Sequence, residues 1–189
     1  MKILLLDNYD SFTYNVAEAV KSCGEEIDIF RNDKISLEDV GGYDKIILSP
    51  GPGVPKDAGI LLPLIKRYGA TKHILGICLG EQAIGEAYGA MLTNLSTVYH
   101  GVASTISITD ERDPILKGLG SEIEVGRYHS WVVSTQNFPD CLEITSTHKE
   151  SGQIMSLRHK EHKVYGVQFH PESILTPKGV EIIANFLKL

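Results

Sequence analysis

Short apolar runs alternate with helical patterns through the first half of the chain. Ile3 to Leu6, Ile27 to Phe30, Lys45 to Leu48 and His73 to Ile77 are too short for helices and are bounded by turn residues, so each predicts a strand, the first of them buried. Between them, Ser11 to Cys23 has helical spacing and meets a stop at Gly24. Further helices are expected from about Ala58 to Tyr68 and from Leu79 to Tyr88, the latter closed by Gly89. Strand and helix in regular alternation need crossover connections, which predicts an α/β fold with a mostly parallel central sheet flanked by helices.

Beyond Gly89 the period shortens. Val102 to Ile108, Ile123 to Arg127, Leu142 to Thr147, Gln153 to Leu157 and Val164 to Phe169 predict antiparallel strands and hairpins added to that sheet. A last helix is expected from about Pro177 to Lys188, with Ile182, Ile183, Phe186 and Leu187 on its apolar face. No repeat, low-complexity segment or linker divides the chain, so residues 1–189 are expected to form one domain.

Composition narrows the function. Hydrophobic residues at 42% and charged residues at 22% suit an ordinary globule with one core. Lys and Arg total 18 against 24 Asp and Glu, a formal charge of -6 without a long basic run, which argues against nucleic acid and against an anionic membrane surface. Neither a signal peptide nor a bilayer span is evident, and a cytoplasmic location is expected. The three cysteines, Cys23, Cys78 and Cys141, are odd in number and far apart, without C-x-x-C spacing.

One of them has a particular setting. Gly76-Ile77-Cys78-Leu79-Gly80 puts a cysteine between a strand and a helix with glycines two residues away on either side, the layout of a nucleophile elbow. Such a turn projects its side chain from the carboxyl edge of the sheet, where open α/β sheets bind ligands. The helix N-terminus behind it favours thiolate over thiol. Most isolated cysteines are inert core residues; Cys23 and Cys141 lack the elbow and are assigned to packing or surface.

A cysteine nucleophile needs a base and a group to orient it. His170-Pro171-Glu172 follows the run Val164 to Phe169. Side chains two apart in an extended segment point the same way, and Pro171 disfavours helix, so the two can face one site. Alone, such a tripeptide could be a solvated loop. Paired with the elbow it predicts a Cys-His-Glu triad, the carboxylate fixing the imidazole tautomer.

These residues resemble the class I, triad-type glutamine amidotransferases, which carry a G-x-C-x-G-x-Q elbow and a late H-P-E. The likeness extends to Asp7 through Asn15, Ser49-Pro50-Gly51-Pro52-Gly53, Tyr128-His129-Ser130 and Pro171 through Thr176, and covers essentially the whole chain. Within that family the chain looks like the glutaminase components that serve anthranilate and aminodeoxychorismate synthases. The resemblance implies a flavodoxin-like amidotransferase fold. It implies Cys78 as nucleophile, His170 as base and acid, Glu172 as orienter, and backbone N–H groups of Leu79 and of Gly51-Pro52-Gly53 around the oxyanion, donors that commonly contribute roughly 10²–10³ in rate. Gln82, Ser130 and Trp131 match positions that hold the glutamine. Tyr99, His100 and Gly101 fall where the family meets its synthase. The implied partners are L-glutamine and a chorismate-binding component I in a hetero-oligomer. No cofactor or metal is expected in this subunit, magnesium belonging to the synthase. The isolated subunit is expected to be poorly active until that partner docks.

Two positions depart from the family pattern. Glu81 stands where His is frequent; a carboxylate aimed at a thiolate would hinder it, so Glu81 is expected to point away, toward a partner or a basic neighbour. Trp131 stands where Leu is usual, which is tolerable if contact there runs through the backbone. His159 and His162, in a charged hairpin turn, lack the further ligands a metal needs. The rival readings are a stand-alone cysteine hydrolase of γ-glutamyl or peptide bonds, and a flavodoxin-like carrier, whose phosphate loop would not place Asp7 and Asp10 where the phosphate lies.

Overall fold

The computed structural model describes residues 1–189. Eleven strands form, β1 (Ile3–Asp7), β2 (Asp28–Arg31), β3 (Lys45–Leu48), β4 (His73–Ile77), β5 (Leu92–Asn94), β6 (Val102–Ile108), β7 (Glu122–Arg127), β8 (Trp131–Val133), β9 (Leu142–His148), β10 (Ile154–His159) and β11 (Val164–Val167). The helices are α1 (Thr13–Ser22), α2 (Leu37–Val40), α3 (Leu61–Tyr68), α4 (Leu79–Ala87) and α5 (Gly179–Leu187). Nine strands make one sheet in the order β2-β1-β3-β4-β11-β10-β9-β6-β7, and β5 pairs with β8 in a separate two-stranded ribbon. No helix is long and apolar enough to cross a membrane.

The predicted α/β fold is present, with one correction. From β2 through β4 the sheet is parallel, and it turns antiparallel toward β7. The segment from Val164, expected among the antiparallel additions, lies at the switch: β11 pairs parallel with β4 and antiparallel with β10. An apolar run buried on both faces reads the same in either direction, and its neighbours alone decide. The short elements α2, β5 and β8 were not anticipated.

Alternation along β1 divides the core. Ile3 and Leu5 pack with Val16 and Val20 of α1 and Ile182 and Phe186 of α5, while Leu4 and Leu6 face Leu61 and Leu64 of α3 and Ala83 and Ile84 of α4. Burying both faces of β1, β3 and β4 under helices holds their carboxyl ends at one edge. The loops after β1, β3, β4 and β11 emerge there.

Candidate active site

Cys78 follows β4 and precedes α4, and its backbone lies at φ 54, ψ -102, a region a side-chain-bearing residue occupies only under constraint. The constraint comes from both sides. Cys78 N–H donates to Val167 C=O at 2.8 Å, and Cys78 C=O accepts from Gln82 N–H at 3.0 Å. A Cβ on Gly76 would come within 2.5 Å of the Gly80 backbone, and one on Gly80 within 2.6 Å of Leu48 C=O, so the elbow closes only with glycine at both positions. Leu79 is the first helical residue, carrying one of the N–H groups a helix leaves without an intrahelical partner.

The second half of the site comes from the continuation of β11. His170 N–H donates to Gly126 C=O at 3.0 Å, tying this segment to the end of β7, and Thr176 Oγ1 donates to His170 C=O at 2.7 Å. The His170 ring packs at 4.7 Å from Tyr128 and 5.3 Å from Phe12, centroid to centroid. Nδ1 lies 2.6 Å from Glu172 Oε1, both side chains being buried. Burial alone would lower the proton affinity of this ring. The Cys78 sulfur and the Glu172 carboxylate outweigh it and raise the pKa to about 10. Nε2 makes no hydrogen bond within the protein, and His170 and Cys78 line the same cavity. The arrangement is a cysteine sulfur beside an imidazole whose Nδ1 is held by a carboxylate.

Two cavities open on the sulfur. One of about 220 Å³ is lined by Gly51, Pro52, Gly53, Cys78, Gln82, Tyr99, His100, Tyr128, His129, Ser130 and Trp131. A second of about 440 Å³ reaches Cys78 from the other side, past Asp10, Phe12, Pro52, Tyr128 and His170. Most of the residues singled out in the sequence thus meet. The exceptions are Leu79, whose side chain is in the core, Glu172, which stands behind His170, and Gly101, which lines neither cavity.

Several residues that hold this wall escaped the sequence reading. Arg127 is fully buried, lies 3.6 Å over the Tyr99 ring, donates from Nε to His129 Nε2 at 3.1 Å, and bonds Gln153 through Nη2. Burial and the Arg127 charge push the His129 pKa down to about 3, so its ring is neutral. Since Nε2 accepts, Nδ1 carries the proton and donates to Trp131 C=O at 2.9 Å. Gln82 Nε2 donates to the same carbonyl at 2.9 Å. Trp131 thus meets Gln82 and His129 through its backbone carbonyl.

Gln168 was also missed. Its Oε1 accepts from Gln82 Nε2 at 3.1 Å and its Nε2 lies 3.5 Å from Cys78 Sγ. Its place two residues before His170, just past β11, was the available signal.

Glu81 corrects an expectation. It reaches neither a basic group nor the surface: it is fully buried against Gly166, both carboxylate oxygens are without a hydrogen-bond partner, and burial raises its pKa well above the usual value. Helix α4 is buried from Leu79 to Gly85 and has no wet face there for the side chain to take. The phosphate-loop alternative loses its site, because Asp7 Oδ1 accepts from Tyr9 N–H and Thr13 Oγ1 at 2.8 Å and Asp10 accepts from Phe12 N–H at 2.8 Å. His159 and His162 stack at 3.9 Å in the β10–β11 turn, remote from both cavities.

The family model of class-I glutamine amidotransferases matches residues 4–189. The chain is 43% identical over 194 residues to anthranilate synthase component 2 of Pseudomonas putida, covering 100% of this chain and 97% of the relative. It is 42% identical over 187 residues to aminodeoxychorismate synthase component 2 of Escherichia coli, covering 98% of each. A crystal structure from Thermoplasma acidophilum, assigned to a GMP synthase, superposes with a TM-score of 0.88 at 28% identity, over 100% of this chain and 92% of the other.

Proposed function

This chain belongs to the class-I glutamine amidotransferases, and we propose that within them it is the glutaminase component of a chorismate-using synthase, releasing ammonia from L-glutamine for component I. The observation that carries the reading is the convergence of the strained Cys78 elbow with His170, backed by buried Glu172, at the wall of a cavity rimmed by Pro50, Gly51 and Pro52.

Glutamine enters the smaller cavity, against Gln82, Ser130 and Trp131. The Cys78 thiolate attacks the side-chain carbonyl carbon, and the resulting oxyanion accepts N–H groups of Leu79 and of Gly51 or Gly53, Pro52 having none to give. Charged His170 passes its proton to the nitrogen, the C–N bond breaks, and ammonia leaves while the acyl group stays on sulfur as a thioester. Neutral His170 then takes a proton from water as its oxygen attacks; the C–S bond breaks, glutamate departs, and the thiolate and imidazolium return. Glu172 stabilises the charged ring throughout.

The relatives bear the names of both synthases at 43% and 42% identity, which supports a shared glutaminase design whose amination product is chosen by component I. Chorismate and its magnesium belong on that partner, with Tyr99, His100 and Gly101 at the interface and the complex in the cytoplasm. Ammonia release measured on the purified chain, alone and then with component I and chorismate, tests the proposal. Low basal turnover raised by the partner is expected; a fully active chain indifferent to component I would leave a stand-alone cysteine hydrolase in its place.

A further inference from the structure

Three amide and carbonyl groups lead from the wall of the glutamine cavity to the sulfur. Trp131 C=O accepts from Gln82 Nε2 at 2.9 Å, the same nitrogen donates to Gln168 Oε1 at 3.1 Å, and Gln168 Nε2 lies 3.5 Å from Cys78 Sγ. The direction of this chain is forced. A backbone carbonyl can only accept, so Gln82 must present its NH₂ group to Trp131. That nitrogen can meet only an acceptor on Gln168, which turns the Gln168 oxygen toward Gln82 and leaves its NH₂ facing the sulfur. The reverse orientation would set two donors against each other at Gln82 and a carbonyl oxygen against a thiolate.

Gln168 is fully buried, lines neither cavity on the sulfur, and is held at its backbone by donation to Met155 C=O at 2.8 Å. Both hydrogens of Gln82 Nε2 are spent inside the protein, so this amide can offer a ligand only its oxygen.

We infer that Gln168, oriented through Gln82 by the Trp131 carbonyl, is the hydrogen-bond donor that holds the Cys78 sulfur as a thiolate. This rests on the reading of Cys78 as the nucleophile and adds to His170 a second, neutral source of thiolate stabilisation. A donor to the charged form favours that form, and a donor already polarised by a partner at its other end is the stronger for it. Because the chain starts in the wall that meets glutamine, Gln82 acts on the sulfur through Gln168 and not only on the substrate.

The test is the pH profile of Cys78 alkylation by iodoacetamide in the purified chain, followed by mass spectrometry of the Cys78 peptide to separate it from Cys23 and Cys141. Gln168→Met keeps length and volume but removes the donor. The midpoint is expected to rise by about one pH unit, with an alkylation rate lower by about tenfold at pH values below the parent's midpoint. Glutamine hydrolysis should show kcat reduced on the order of tenfold and KM changed less than about twofold, since Gln168 does not reach the cavity. A midpoint unchanged in a variant of normal thermal stability overturns the inference.

Should Gln168→Met fail to fold, the unsubstituted chain decides. The side-chain amide proton resonances of Gln168 should shift with pH across the Cys78 alkylation midpoint, and resonances flat through it overturn the proposal. Failure of the underlying reading is distinguishable, because it would appear as glutaminase activity surviving Cys78→Ser.

Discussion

His170 and Glu172 are separated by a single proline, yet their side chains meet at 2.6 Å inside the protein, a carboxylate against an imidazole Nδ1. The sequence predicts an extended segment here, but Pro171 and Glu172 instead form a turn after β11, Ser173 N–H donating to His170 C=O at 3.2 Å, and that local turn brings the two side chains together. What makes it a working pair is the strand from Val164, whose parallel pairing with β4 carries it to Cys78.

Cys78→Ser should abolish glutamine-dependent synthesis by the complex with component I and leave ammonia-supported synthesis nearly intact, because only the first needs the thioester. Assaying both nitrogen sources on one preparation checks this. Equal loss with both would remove Cys78 from ammonia production.

Glu172→Gln should fold and slow thioester formation, on the order of 10²-fold or more, since the amide no longer stabilises the charged His170 ring. Single-turnover acylation measured against pH is the readout. The ring should hold its proton over a narrower range than in the parent, where Cys78 and Glu172 raise its pKa to about 10. An unaltered acylation rate would take Glu172 out of the site.

Trp131→Leu should change KM for glutamine by less than about threefold, because the contacts of this residue with Gln82 and His129 are made by its carbonyl oxygen. His129→Ala should do more damage, as it withdraws the donor that holds that carbonyl. Steady-state kinetics on the two variants would reveal the opposite order if the indole ring itself bound the substrate.

Glu81→Gln bears on stability. Burial raises the Glu81 pKa well above its usual 4.5, so the folded chain keeps the proton after the unfolded chain has released it. The folded state therefore loses ground as pH rises from about 4.5 through the raised folded value. Gln cannot ionise, so the variant should match the parent near pH 4 and melt progressively higher than it toward neutrality. Thermal unfolding of both chains across that range is the measurement; a difference independent of pH would mean that the carboxyl charge is not what burial penalises.

Much of this was legible in the residues. Cys78 stood out because a strand-to-helix elbow needs glycines at fixed offsets, and His170 and Glu172 because they are close in sequence, although a turn at Pro171 and Glu172, and not the extended segment expected, brings them together. Glu81 misled because its charge suggested a wet environment, whereas α4 is enclosed by the sheet and its neighbours. Arg127 was read only as the end of a strand and His129 only as part of a motif, and their burial under Tyr99 depends on how β7 and the segment before β6 close over one another.

The dividing line follows the range of the interactions. Periodicity, turn chemistry and local pairs act over a few residues, and so the order of strands and helices, the elbow and the His-Pro-Glu pair can be read along the chain. Whether Val164–Val167 runs parallel or antiparallel, which side of α4 is dry, and whether Gln168 reaches a sulfur depend on partners remote in sequence. Cys78 and Gln168 are 90 positions apart. Such contacts exist only once the sheet has assembled, because pairing across it, and not any local preference, brings the two strand ends together.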